Sequence, residues 1–339
     1  MVNATHTSYN ASDRSYYAII KKETHSMAVT AGFESKRIAE LDIIVAEMTS
    51  NLNKYADGGE ILLGHVKEPD NEYIEVICID DGPGIADTRK MAKDGFSSTS
   101  TLGHGLGSIN RLSDKFDIYS QTGWGTIVLS RIYKKPQIKT RTKAKMEVRP
   151  LVLCKPGEKM SGDGFVCLAD DKKARLMLAD GLGHGPDANL AMNTAVNALN
   201  ACTFATPVEM LRFMHSFIRK TRGVVATVIT IDFDKNTFDI AGVGNIATKL
   251  QGAVDSKNHL SYNGIVGHTI PNTMNDQSMN FNEYQQFVLC SDGIKSRWDL
   301  GKYPGLQKQD LGLQAAVIYK DFARRNDDMS IVMVKLNAK

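Results

Sequence analysis

The sequence predicts two domains of α/β (α+β) type in series: a two-layer α/β sandwich, then two β layers with helices packed outside. Three observations predict it. Residues 15–133 carry two helical apolar stripes followed by alternating, strand-like segments. A basic, aperiodic stretch, Lys134 to Pro150 (KKPQIKTRTKAKMEVRP), then breaks the pattern between prolines. After it, strand pairs flank two further apolar helical segments.

In order, residues 1–14 read as a flexible arm, 15–133 as the first domain, 134–149 as a basic linker and 150–339 as the second domain. Helices are expected over Ser15 to Gly32 and Lys36 to Ala56, the second with Leu41, Ile44, Val45, Met48 and Leu52 on one stripe. EILLGHVK and YIEVICID read as strands joined by a polar turn around Pro69 to Asn71. Short helices are expected near Thr88 to Asp94 and from about Gly107 to Leu112, then a hairpin turning at Gly123 to Gly125. Beyond the linker, GFVCLADDKKARLMLADG reads as strand, turn and strand. NLAMNTAVNALNAC and PVEMLRFMHSFIRKT read as helices. A strand pair turning at Lys235 and Asn236 follows, with further strands at QFVLCSDG and MSIVMVKL.

Composition narrows the function. Of 339 residues, 42% are hydrophobic and 23% charged, as in a soluble globular protein with ample core. A net charge of +3 is too small to argue for a nucleic-acid partner. No apolar run is long enough to span a bilayer, and the first residues lack the basic and apolar regions of a leader peptide. Five cysteines with no C-x-x-C spacing suit reduced, isolated thiols. A cytoplasmic protein without nucleic-acid or membrane partners is the expectation.

Two stretches carry chemistry. In the first, Asp80 ends an apolar strand, where its carboxylate can accept from an exocyclic amine such as adenine's. Gly82 and Gly84 let backbone approach a flat ring. Gly103, Gly105 and Gly107 precede a helix and offer N–H groups to phosphate. The spacing is not a Walker loop, because no Lys-Ser/Thr follows. Alone, such glycines also suit ordinary turns. The helix VAEMTSNLNKYADGG adds Glu47 and Asn51, four residues apart on one face. Asn51 offers a hard oxygen ligand for Mg²⁺ on nucleotide phosphates, and Glu47 a base for an attacking hydroxyl.

In the second, SGDGF, LADGLGHG, CSDGI and RNDDMSIV place Asp163, Asp180, Asp292 and Asp327 at the edges of apolar strands. Any one Asp-Gly could simply turn a hairpin. Four converging carboxylates would be costly unless hard divalent cations neutralised them. Two cations about 3.5–4 Å apart can activate a water for in-line attack on phosphorus.

Glu47-Met-Thr-Ser-Asn51 resembles the N-box of the GHKL (Bergerat-fold) ATPases. Asp80-Asp-Gly82-Pro-Gly84 resembles their adenine box, Gly103-His-Gly105-Leu-Gly107 their lid glycines, and Gly125-Thr126 their last adenine-side motif. Within GHKL, the wording over residues 15–133 is similar to the RsbT-like switch serine kinases. Tyr55, where many anti-sigma kinases carry histidine, favours that branch; His104 departs from the small residue expected in the glycine box. The resemblance implies an ATP and Mg²⁺ site built from Asn51, Asp80, Gly82, Gly84, Gly103, Gly105, Gly107 and Thr126, with Glu47 catalytic.

Residues 150–336 resemble the metal-dependent PPM serine/threonine phosphatases, in the SpoIIE-like branch and closest to its RsbX-like members. That implies an α-β-β-α sandwich holding two Mn²⁺ or Mg²⁺. Asp180 and the Gly181 carbonyl would be ligands, with Asp180 bridging and catalytic. Asp292 and Asp327 would hold one metal, with Asp163 beside the other. His184 is either an extra ligand or a loop residue.

Together these imply a bifunctional partner-switching regulator, a kinase and a phosphatase acting on STAS-domain antagonist or stressosome proteins. A SpoIIE-type phosphatase or a sigma factor are further partners of such systems. The alternative is a phosphatase whose first domain only senses nucleotide or binds a sigma factor or antagonist.

Overall fold

A computed structural model describes residues 5–56, 58–68, 71–88, 102–136, 144–252 and 255–337. The described chain packs as two compact units, one of residues 5–136 with 300–320, the other of 144–299 with 321–337.

In the first unit, helices α1 (Arg14–Thr30) and α2 (Ser35–Tyr55) cover a five-stranded antiparallel sheet. Its strands are β1 (His6–Asn10), β2 (Glu60–Lys67), β3 (Glu72–Ile79), β4 (Lys115–Gln121) and β5 (Gly125–Tyr133), in the order β1-β2-β3-β5-β4. The α2 stripe Leu41, Ile44, Val45, Met48 and Leu52 is buried against Ile61, Ile74, Val76 and Val128 of the sheet, as the spacing predicts. Helix α3 (Leu102–Leu112) adds Leu106 and Ile109 to the same core.

Three expectations need correction here. Residues 6–10 are not a free arm. They pair with β2, His6 facing Gly64, and the buried His6 Nε2 lies 3.0 Å from Glu75 Oε1. The polar sequence HTSYN hides this strand because its one buried anchor is a histidine. The basic linker is shorter than expected: β6 (Met146–Leu153) already pairs with the last strand along its whole length. Residues 300–320 pack with the first unit rather than the second. Their largest element is α6 (Leu311–Phe322), whose residues Leu311–Tyr319 are all buried. The physical reason is polar as much as apolar: Asp310 pairs with Arg131, and Tyr319 Oη donates to Glu60 Oε1 at 2.6 Å. The helix expected near Thr88 to Asp94 falls, beyond Thr88, outside the described residues.

The second unit holds two five-stranded antiparallel sheets. One contains β7 (Asp163–Ala169), β8 (Lys173–Gly181), β9 (Val224–Asp232), β10 (Thr237–Val243) and β13 (Gln277–Asn280). The other contains β6, β11 (Ala247–Gln251), β12 (Ser256–His259), β14 (Gln286–Cys290) and β15 (Met329–Leu336). Leu176, Ile229, Phe238 and Ile240 of the first sheet meet Leu250, Phe287, Leu289 and Val332 of the second in one core. Helices α4 (Pro186–Ala201) and α5 (Pro207–Phe217) bury Met192, Leu199, Leu211 and Met214 against Met177, Ala179 and Val228. Thr206 and Glu209 start α5 with a reciprocal capping box.

No described helix is long and apolar enough to cross a membrane. All five cysteines are free, with Cys78, Cys202 and Cys290 buried.

Candidate active sites

The first site forms where α2, the end of β3 and the start of α3 meet. Glu47 and Asn51 share the α2 face that α3 approaches. A Cβ placed on Gly105 would stand 3.0 Å from Glu47 Oε2 and 3.2 Å from Asn51 Oδ1. Glycine lets α3 pack closely on these two side chains; a larger residue would push both back by a few tenths of an ångström. The glycine box sits differently from expectation: Gly103, Gly105 and Gly107 lie within the first turns of α3, not ahead of it. Gly105 packs against α2 there. A helix leaves its first N–H groups without intrahelical partners, so phosphate would meet them there. The His104 side chain lies outside the described ones.

At the other end of this site, Asp80 Oδ1 accepts from the Gly82 N–H at 2.9 Å and the Thr126 N–H at 3.0 Å. Burial pushes its carboxyl above the usual range, while those two N–H groups and Lys320 pull it back. The Gly84 and Gly125 backbones have φ of 75° and 117°. A Cβ on Gly84 would overlap the Gln121 carbonyl, and one on Gly125 the Asp80 carbonyl. The glycines are therefore a requirement of close backbone approach around Asp80.

In the second site, β7 and β8 set Asp163 directly opposite Asp180. The paired strands β14 and β15 are followed and preceded by Asp292 and Asp327. Burial, then Asp163, Asp292 and Asp327, push the Asp180 carboxyl far above the usual range. Burial raises Asp163 too; its Oδ2 accepts from Ser330 Oγ at 2.8 Å, while its buried Oδ1 has no hydrogen-bond partner. Asp292 is exposed and its Oδ2 accepts from Asn245 Nδ2 at 3.1 Å. Gly181 has no room for a side chain, since a Cβ would overlap the Ala188 carbonyl. His184 pairs with Glu158, Nδ1 to Oε1 at 3.0 Å, which suits a loop role.

The carboxylates thus share one region, yet among the described residues no three His, Cys, Asp or Glu stand at the spacing of a single metal shell. The chemistry of the set still fits a hard cation: oxygen donors only, with a buried orphan oxygen on Asp163.

Sequence reasoning passed over Asp328. Its two oxygens accept from the Lys155 and Gly162 N–H groups, each at 2.8 Å, and so brace the loop that carries Asp163. Its place beside Asp327, one residue ahead of a buried strand, was the available signal.

The histidine kinase-like ATPase domain family matches residues 10–132. The serine/threonine-protein kinase RsbT of Bacillus subtilis is 36% identical over 101 residues, covering 30% of this chain and 76% of RsbT. The chain belongs to the RsbT family. The stage II sporulation protein E (SpoIIE) family matches residues 170–337, so an RsbT-like domain is joined here to a SpoIIE/PPM-type domain. The phosphoserine phosphatase RsbX of B. subtilis is 27% identical over 144 residues, covering 42% of this chain and 71% of RsbX. A solved structure from work on the bacterial stressosome as a modular system controlling secondary-messenger signalling is 26% identical, with a TM-score of 0.52. It covers 57% of this chain and 100% of its own. RsbX in complex with magnesium shares the fold, at 22% identity and a TM-score of 0.50 over 59% of this chain and 100% of RsbX.

Proposed function

We propose that the chain is a bifunctional regulator: its RsbT-like unit phosphorylates a serine or threonine with ATP, and its PPM unit removes phosphate from one. The substrates are STAS-domain antagonist or stressosome proteins in the cytoplasm. The observation that carries the kinase half is the packing of Gly105 on both Glu47 and Asn51. That packing supports a reading in which Glu47 is the base and Asn51 the magnesium ligand, with the N-terminal end of α3 beside them. Asp80, held by Gly82 and Thr126, orients the adenine from the other end. Glu47 would take the acceptor hydroxyl's proton, and the α3 N–H groups would stabilise charge on the transferring phosphoryl group.

In the phosphatase half, Asp163, Asp180, Asp292, Asp327 and the Gly181 carbonyl would hold two Mn²⁺ or Mg²⁺. Such ions supply Lewis acidity and an activated water at neutral pH. Ser330 fixes the Asp163 carboxylate, Asn245 fixes Asp292, and Asp328 fixes the Gly162 backbone ahead of Asp163. Incubation of the protein with ATP-Mg²⁺ and a STAS-domain substrate, read on phosphate-affinity gels, tests the kinase reading. Transfer that persists undiminished in Glu47→Ala would remove Glu47 as the base.

A further inference from the structure

Lys320 lies outside the segment that matches the ATPase family, yet it packs against that family's base-binding end. Its Nζ pairs with Asp81 Oδ1, next to Asp80, and stands 4.9 Å over the Trp124 ring. The side chain is only 6% exposed, so its charge is committed to this place. Asp81 and Trp124 belong to the two loops that shape the Asp80 pocket. These loops already touch: the Gly123 N–H donates to the Pro83 carbonyl at 2.8 Å, and Gly84 lies against Gln121. Lys320 grips both from the side of α6. The helix is itself anchored to the sheet by Asp310 on Arg131 and by Tyr319 on Glu60. Next to it, Tyr303 stacks edge-on with Trp124 at 5.9 Å and with Tyr119 at 6.5 Å.

We infer that residues 300–320 complete the nucleotide site of the ATPase unit, with Lys320 as a positioning residue that clamps the Asp81 loop to the Trp124 turn. This rests on the reading of that unit as an ATP site. Lys320 does not touch the nucleotide in this account; it acts through Asp81 and Trp124. The Lys320 side chain is buried with an aromatic face beneath its ammonium, while Asp81 meets it from the exposed side, so the ring contact and the burial of the stem give the connection most of its strength. It holds the pocket in its binding shape before nucleotide arrives, and preorganisation of that kind raises affinity without a new ligand contact.

The test is calorimetric titration of the full chain with ATP-Mg²⁺. Lys320→Ala should bind about tenfold more weakly, a change of about 1.4 kcal/mol. Lys320→Arg, which keeps charge and ring contact, should stay within about threefold of wild type. Lys308→Ala, an exposed change in the same segment, should do nothing. Asp81→Asn combined with Lys320→Ala should be no worse than Lys320→Ala alone, because the two act as one unit. If Lys320→Ala proves unfolded by its melting curve, Lys320→Gln, close in shape but neutral, carries the same expectation. Wild-type binding that Lys320→Ala and Lys320→Gln both retain overturns the inference and leaves the ATP site standing. Loss in Lys320→Arg equal to that in Lys320→Ala would make Lys320 a packing residue only. Failure of the wild type to bind ATP removes the ATP-site reading and this inference with it.

Discussion

Replacing Asp310 with alanine should unlock the 300–320 segment from the ATPase unit. Arg131 is 1% exposed and donates Nη1 and Nη2 to the two Asp310 oxygens at 2.8 and 2.7 Å. Burial disfavours the charged guanidinium, but Glu75 and Asp310 together outweigh it and hold the group protonated. Removing one partner of a buried pair costs about 3–5 kcal/mol, mostly for the charge left behind. Glu75 still accepts from Arg131 Nε, so the lower end, about 3 kcal/mol, applies. Asp310 Oδ1 also accepts from the Gly312 N–H at the start of α6, and a lost cap adds about 1 kcal/mol. The sum is about 4 kcal/mol, or a drop of roughly 10 °C in the midpoint of a unit of this size.

The chain has two tryptophans, Trp124 in the ATPase unit and Trp298 in the other. In a Trp298→Phe background, Trp124 fluorescence therefore follows the ATPase unit alone. Its transition should fall by roughly 10 °C in Asp310→Ala. Arg131→Met with Asp310→Leu should recover only part of the loss, because Glu75 then stays buried without Arg131 and keeps His6 as its partner. A midpoint unchanged within error in Asp310→Ala would refute the argument that this pair is buried and holds the segment.

Other outcomes follow from the two sites. Asn51→Ala should weaken ATP-Mg²⁺ binding strongly in calorimetry, whereas Glu47→Ala should bind ATP normally and fail in phosphoryl transfer. Gly125→Ala should weaken ATP binding at least tenfold, since its Cβ would displace the Asp80 backbone; undiminished binding would show that Asp80 tolerates the shift. Hydrolysis of a phosphoserine protein should stop in Asp180→Asn and in excess chelator, and full activity under chelation would sink the two-metal account. In mixed assays with ATP, substrate phosphorylation should rise in Asp292→Asn and vanish in Glu47→Ala, with wild type between them; equal levels in all three would mean that the units do not share that substrate.

The sequence made legible whatever local pattern encodes. The α2 stripe, the Lys235–Asn236 turn with Asn236 at φ 53°, and the β7–β8 hairpin that opposes Asp163 to Asp180 all follow from periodicity or turn chemistry. Glu47 and Asn51 were legible for the same reason, being one helical turn apart. What pattern did not encode was long-range polar pairing. Strand β1 is held by His6 on Glu75, 69 residues away, and 300–320 by Asp310 on Arg131, 179 residues away. Neither pair leaves a periodic trace. Asp328 was missed for a related cause: its role is to accept two backbone N–H groups far off in sequence, and any buried aspartate would look the same.

The placement of 300–320 changes what counts as a domain in this chain. Read by motif, the phosphatase region is continuous from the linker onward, and Asp292 and Asp327 are two of the ligands proposed for one site. Read by packing, the chain leaves that unit after Asp299, folds with the ATPase unit through Lys320, and returns at Asp321. The segment between the last two phosphatase aspartates therefore takes its stability from Arg131, Glu60 and Asp81. A cut at the basic linker would strip both fragments. The first would lose the Asp310 and α6 cover of Arg131, and the second would expose the α6 face that the intact chain buries. Each fragment then exposes apolar surface that the intact chain buries. Co-expression of residues 1–140 with 141–339 should accordingly yield a non-covalent complex, whereas residues 1–140 alone should melt well below the ATPase unit of the whole chain. Equal melting of that fragment, alone and in the intact protein, would mean that 300–320 rides on the unit without stabilising it.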